Sequence, residues 1–457
     1  MTKISVPGVS DPLLEDEAAG TGSFLEASTE HGIRIDATRG APADRSVIED
    51  AAPDDVIELR LEGGLRRWVP VAELSETLAL PAERGGDDTV VLPASLQSPD
   101  ATRGVEDWAI SGLRLLRAKL GGSIAGSAGS AVGMKLATDL EKKLVPEERL
   151  ARIERADLEL GGAPKVSEFG GDPWLLFIHG TASRTGSAFA GLTDARQGRS
   201  WETLAQAYGG RVLAYDHRTL TRSPVENALG LVGALGKGSR LHVVSHSRGG
   251  IVGELLCRGS RRDHRDAFTA EELTLLKKAF GDREGADEEV EALRELTSLL
   301  DRKRIVVERF VPVGSPLRGT DLAGGKLDRW ASVVLNLLDR LAGLSGNPAV
   351  KMVSEFTTAF LLGMVKARAD WTLLPGLAAQ MPDSPLVRLL NVPSVQVDGQ
   401  LSAIAGDVEP DGILRRLATW TSDLFYGEDN DFVVQTSSMT GGADRGEEGR
   451  HFLSLIH

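Results

Sequence analysis

Cysteine is nearly absent: the 457 residues include one, Cys257. No intrachain disulfide can form, which excludes a disulfide-stapled scaffold and fits a reducing, cytoplasmic setting. An excess of basic residues is missing too. Lys and Arg number 52 against 66 Asp and Glu, a formal net charge of −14. Phosphate binding needs a basic surface, so nucleic acid is not an expected partner. No apolar run reaches the roughly 18 to 20 residues of a membrane-spanning helix. The uncharged stretch 120–134 is short and rich in Gly, Ser and Ala, which reads as a linker or a closely packed helix. The opening MTKISVPGVSDPLLEDE has no basic start, apolar run or small-residue cleavage site, so a signal peptide is not expected.

What remains is an ordinary globular composition, 41% apolar and 26% charged, which excludes wholesale disorder. The length predicts roughly two or three domains. Residues 1–53 show little periodicity and read mostly as a loop or flexible arm. VIELRL (56–61) and LRRWVPV (65–71), joined through Gly63 and Gly64, read as a hairpin. Together, 1–100 are predicted to form an arm and a small β-containing module. Over 105–160, Trp108, Leu113, Leu115 and Leu116 recur at helical spacing and a densely charged stretch follows, so 101–165 reads as a helical linker. Beyond Trp174, short apolar runs alternate with helical stretches: WLLFI, RVLAY, LHVVS, RIVVERFVPV, LSAIAG and FLSLI. Such a series implies a mostly parallel sheet covered on both faces. This α/β domain is assigned 166–457, with helical insertions forming a cap at about 260–303 and 327–390. The second insertion is the more apolar; Phe356, Phe360 and Met364 could line an acyl pocket or lid, or form a core stripe.

The most informative segment is LHVVSHSRGG (241–250). A strand runs into Ser245-His246-Ser247-Arg248-Gly249 and a helix follows, the context of a nucleophile elbow. That turn is strained, and the residues two before and two after the nucleophile must be small. Ser245 and Gly249 satisfy this, with Ser245 in place of the usual Gly. A serine nucleophile needs an oxyanion hole, and the backbone N–H of Arg248 is one candidate donor. The other is Thr181, in the glycine-containing turn His179-Gly180-Thr181 after WLLFI. His179 itself reads as a residue that holds its loop by hydrogen bonds rather than a proton carrier.

With these segments in place, the sequence resembles the α/β-hydrolase superfamily. FIHGTAS, AYDHRTLTRSP, VVSHSRGG and VGSPLRGTDLA follow successive strands in the superfamily's order. PLRGT (316–320) and the later NDFVV look most like bacterial triacylglycerol lipases and GPI inositol-deacylase-like lipases. The whole arrangement resembles bacterial hydrolases encoded with caspase-like CHAT-domain proteins. The resemblance implies a Ser–acid–His triad in that chain order. The lipases' N-D-G-x-V segment maps the acid onto Asp431, with Phe432 replacing the Gly and Asp429 as runner-up. The order then leaves two histidines after the acid, His451 and His457. Active-site residues of a parallel sheet gather at the carboxyl ends of its strands. His457 follows the end of FLSLI and is therefore preferred; a histidine in a further loop stays open.

The expected activity is hydrolysis of a carboxylic ester, a lipid or other acyl ester, by Ser247, Asp431 and His457. No metal or organic cofactor is implied. The run 236–239 lacks phosphate-loop spacing, the acidic run 282–291 lacks calcium-loop spacing, and 261–266 has no companion ligands. Peripheral membrane contact through the apolar cap and an unidentified protein partner are further expectations. The alternatives are a thioesterase or peptidase, or an interaction module that keeps the fold without turnover.

Overall fold

The structure is a computed structural model. It describes all residues except 18–20, 23–24, 36–43, 62–65, 79, 81–88, 97–107, 121–129, 155–157, 194–199, 282, 284, 321–357, 367–373, 408–435, 447–448 and 457.

Among the described residues, the first 120 form mostly strands, with short helices at Pro12–Glu15 and Leu74–Thr77. Thr2–Pro7 lies between Arg45–Ala51 and Thr89–Val91 in one sheet. A second sheet runs Val9–Ser10, Leu25–Arg34, Trp108–Leu120, Val56–Leu61, Arg66–Pro70. The expected hairpin is present, with Ile57 opposite Val69 and Leu59 opposite Arg67. Two expectations are corrected. Residues 1–53 are not mainly a loop, because Ile4, Val6, Ile33, Ile35 and Ile48 are buried in one core with Leu59 and Leu113. Trp108–Leu120 is a strand rather than part of a helical linker. Its buried apolar side chains are Ile110, Leu113, Leu115, Leu116 and Ala118. Strand alternation has a period of two, and the register against Leu25–Arg34 shifts between Leu115 and Leu116. The extra residue of that shift, Glu30, lies in the partner strand, so the alternation of Trp108–Leu120 is intact there. Leu113 and Leu115 join the core above, Leu116 and Ala118 are buried at the alternate positions, and burial on both faces produces the helix-like spacing of the leucines.

Helix α1 (Ser130–Leu144) is where the expected helical segment forms. Pro146 follows it, and proline disfavours helical conformation in the residue before it. Strand β1 (Arg149–Arg152) comes next, ahead of the expected domain boundary at 166. It opens a sheet with β2 (Trp174–Ile178), β3 (Val212–Asp216), β4 (Arg240–His246), β5 (Val306–Val313), β6 (Gln400–Asp407) and β7 (Arg450–Ile456). Their spatial order is β1-β3-β2-β4-β5-β6-β7. β1 pairs antiparallel with β3, and every other pairing is parallel. All five residues of β2 are buried, as expected for a strand covered on both faces.

The chain moves from β2 outward to β3, then returns past β2 to β4. The order therefore reverses between β2 and β4, and ligand sites of open α/β sheets form at the carboxyl ends of strands at such a switch point. Helix α2 (Pro224–Ala234) and helix α3 (Gly249–Cys257) pack on the sheet. The first insertion forms α4 (Ala270–Phe280) and α5 (Ala286–Lys303). Val290, Leu293, Leu296 and Leu300 join Leu231, Val232 and Leu255 in the main core, so this insertion helps cover the sheet. In the second insertion Phe360 and Met364 are buried. A Cβ on Gly363 would lie 2.9 Å from the Leu136 side chain of α1. These two residues therefore behave as core; Phe356 lies outside the described residues.

Candidate active site

Ser247 stands between β4 and α3 with φ +50°. A left-handed backbone is rare for a residue with a side chain and costs about 1–3 kcal/mol. The surroundings fix it. The Ser247 N–H donates to the Val313 carbonyl at 2.9 Å, and the Ser247 carbonyl accepts from the Gly250 N–H at 2.9 Å. Ser247 is partly exposed, while Ser245 and Arg248 are buried.

The small residues around the elbow have a steric reason. A Cβ on Gly249 would lie 2.5 Å from the Ile178 carbonyl oxygen and 2.7 Å from that of His179. On Gly250 it would lie 2.4 Å from the Ser315 side chain. Gly180, in the loop after β2, comes equally close: its Cβ would be 2.8 Å from the Ser247 Cβ. The two loops of the switch point thus touch at the serine, and Thr181 follows in sequence. Ala182, one residue on, also has a left-handed backbone, with φ +49°. Its N–H donates to Thr219 Oγ1 at 2.9 Å.

The Arg248 side chain does not face solvent. It donates from Nε to the Gly376 carbonyl (3.1 Å), from Nη1 to Asn227 Oδ1 (2.9 Å) and from Nη2 to the Arg222 carbonyl (2.6 Å). Burial lowers its pKa to about 10, so it stays charged at neutral pH. Its bonds tie the elbow to the second insertion and to α2. Gln380 from that insertion donates to Thr181 Oγ1 at 3.2 Å and to the Gly376 carbonyl at 2.9 Å.

His179 is fully buried, and its Nε2 accepts the His217 N–H at 3.1 Å. An accepting Nε2 leaves the proton on Nδ1, which lies 3.0 Å from the Gly180 carbonyl it donates to. The neutral ring braces the loop, in line with its expected role. Burial lowers its pKa, against the opposing pull of the Asp216 carboxylate. His217 stacks on His179 with ring centroids 4.2 Å apart and is driven well below its usual pKa by burial. Burial likewise pushes His246, beside Ser247, down to about 4. Burial pushes the Cys257 thiol up to about 12, which leaves it unreactive.

Of the residues singled out in the sequence, the structure brings Ser247, Arg248 and Thr181 together at the ends of β2 and β4. Asp431 and His457 lie outside the described residues, as does Asp429. His451 is exposed at the second position of β7, paired with Ser402 near the start of β6. It is therefore at the edge of the sheet opposite the elbow. Sequence reasoning placed Gly180 in the turn that presents Thr181 without its contact with Ser247, and it missed Thr219, Gln380 and, on α1, Glu141. Gly180 was readable as a possible close approach, but the other three have no local signature.

Strand order, the antiparallel first strand and the serine elbow at the switch point define an α/β-hydrolase fold. The chain belongs to the family described as a domain of unknown function, DUF7379, which matches residues 152–276 and 290–452. No curated protein matches the chain. Solved structures similar to it include the mature lipase BlEst2 of Bacillus licheniformis, at 16% identity over 61% of this chain and 84% of that one, with a TM-score of 0.28. Lipase 1 of Pelosinus fermentans is 14% identical over 62% of this chain and 91% of that one, with a TM-score of 0.39. EstA of Clostridium botulinum is 12% identical over 70% and 91%, with a TM-score of 0.37. Among the described residues, no helix is long and apolar enough to cross a membrane.

Proposed function

We propose that this protein is a serine hydrolase of carboxylic esters, acting on lipid or other acyl esters. The observation that carries the reading is the left-handed backbone of Ser247 at the β4–α3 junction, with the residue partly exposed. A strained serine held there is costly for the fold, and strain of this kind gathers at functional sites. In this reading Ser247 attacks the ester carbonyl while a histidine takes its proton. The N–H groups of Thr181 and Arg248 stabilise the oxyanion. The alkoxide leaves with a proton from the histidine, and water then cleaves the acyl-enzyme. His457 is the proposed histidine and Asp431 the acid that orients it. His179 and His246 are poor bases here, because burial holds both below the usual histidine range.

A fluorophosphonate probe tests this directly. The wild-type chain should label and hydrolyse p-nitrophenyl esters. Ser247→Ala should do neither while keeping its thermal midpoint. Triad residues act as a unit, so Ser247→Ala, His457→Ala and the double variant should have similar residual rates. His451→Ala should stay active. Full labelling of Ser247→Ala would refute the nucleophile; an inactive His451→Ala beside an active His457→Ala would move the base.

A further inference from the structure

The loop after β3 carries four consecutive backbone N–H groups that end on two carboxylates from ahead of the family-matched region. Arg218 N–H donates to Glu148 Oε1 at 3.0 Å. Those of Thr219 and Leu220 donate to Glu141 Oε1, the latter at 2.6 Å. Thr221 donates to Glu141 Oε2 twice, from N–H at 3.0 Å and from its hydroxyl at 2.6 Å. Glu141 sits on α1 and is 2% exposed, which is rare for a carboxylate unless its oxygens are saturated with donors. The same loop also reaches the turn after β2. Thr219 Oγ1, 1% exposed, donates to Glu141 Oε1 at 3.3 Å and accepts the N–H of Ala182 at 2.9 Å. Ala182 is the strained residue that follows Thr181.

We propose that Glu141 and Thr219 are positioning residues for the oxyanion loop: α1, through Glu141, orients the Thr219 hydroxyl, which holds Ala182 left-handed and so aims the Thr181 N–H at the carbonyl attacked by Ser247. This rests on the serine-hydrolase reading and adds to it a part supplied by a helix outside the hydrolase sheet. A hydroxyl that donates to an anion is a better acceptor for the next N–H, so the two bonds reinforce each other. Without the pin, the Thr181–Ala182 peptide plane is free to rotate, and the Thr181 backbone with its N–H turns with it.

The test compares wild type, Thr219→Val, Thr219→Ser, Glu141→Ala and the Glu141→Ala/Thr219→Val double variant. For each full chain, kcat and KM on p-nitrophenyl butyrate, the rate constant of fluorophosphonate labelling and the thermal midpoint are measured. Thr219→Val keeps the side-chain volume and removes the hydroxyl. It should lower kcat and the labelling rate by about 10- to 100-fold, the cost of a small misplacement of a catalytic group, with KM within about twofold. Thr219→Ser should restore wild-type rates. Glu141→Ala should match Thr219→Val, and the double variant should be little worse than either. If Glu141→Ala does not fold, the Val and Ser pair at position 219 decides alone. A folded Thr219→Val that labels at the wild-type rate overturns the proposal while the hydrolase reading stands. A wild-type chain that neither labels nor turns over overturns both.

Discussion

At the residue scale, the elbow is governed by what cannot fit. Gly180 and Ser247 approach so closely that a methyl group on the glycine would meet the Ser247 Cβ at 2.8 Å and the His246 carbonyl oxygen at 2.9 Å. No flexible side-chain end is there to give way. Gly180→Ala must therefore displace either the serine or the loop that holds Thr181. Labelling and ester turnover should fall by about 100-fold or more, since a shift of about 1 Å costs that much. Gly186→Ala is the control, because nothing lies within 4 Å of its added Cβ. An unchanged labelling rate in Gly180→Ala would show that the two loops move apart without consequence. The small residues at 245 and 249 were legible from the sequence because a local turn demands them. Gly180 was less so, since its constraint comes from a strand that follows 60 or so residues later in the chain.

Between elements, a buried polar tie joins Glu254 on α3 to Arg445 in the segment before β7. Glu254 Oε2 accepts from Arg445 Nη2 at 2.7 Å, and Oε1 accepts from the Ala443 N–H at 2.8 Å. Both side chains are essentially unexposed. A Cβ on Gly442 would be 2.8 Å from the Glu254 carboxylate. Removing one partner of such a pair strands a buried charge, at a cost of about 3–5 kcal/mol. Glu254→Ala and Arg445→Ala should each lose about that much in denaturant unfolding. The double variant should lose clearly less than the sum, because its second deletion removes the stranded charge. Strict additivity would show that the two do not act as a pair. This tie fixes the approach to β7, the strand after which the proposed histidine follows. From the sequence, Glu254 is one charged residue in a small-residue helix and Arg445 one in a polar loop. Their 191-residue separation leaves no periodic mark.

For the whole molecule, acid sensitivity follows from histidines folded in the neutral state. Burial lowers the pKa values of His179, His217 and His246 from 6.5. Between the folded and unfolded values the unfolded chain binds more protons, so stability rises with pH there. This contribution is complete above about 6.5 and is lost as pH falls toward about 4, the value for His246. Denaturant midpoints measured from pH 7.5 down to 5 should therefore fall. His246→Gln, which carries no charge at any pH, should flatten that dependence, and an unchanged slope would show that His246 titrates normally. The sequence by itself determined the alternation of buried strands and helices, the hairpin at 56–70 and the serine elbow. Each is written in local spacing, with side chains alternating along a strand and small residues flanking a sharp turn. Tertiary structure alone decided that Trp108–Leu120 is a strand, because Leu113 and Leu115 are buried on one face and Leu116 and Ala118 on the other, which removes the apolar-polar alternation a half-exposed strand would show. It alone decided that Glu141 reaches a loop 78 to 80 residues away. A carboxylate is helix-compatible whether it is solvated or buried, and only chain closure supplies the donors that make burial tolerable.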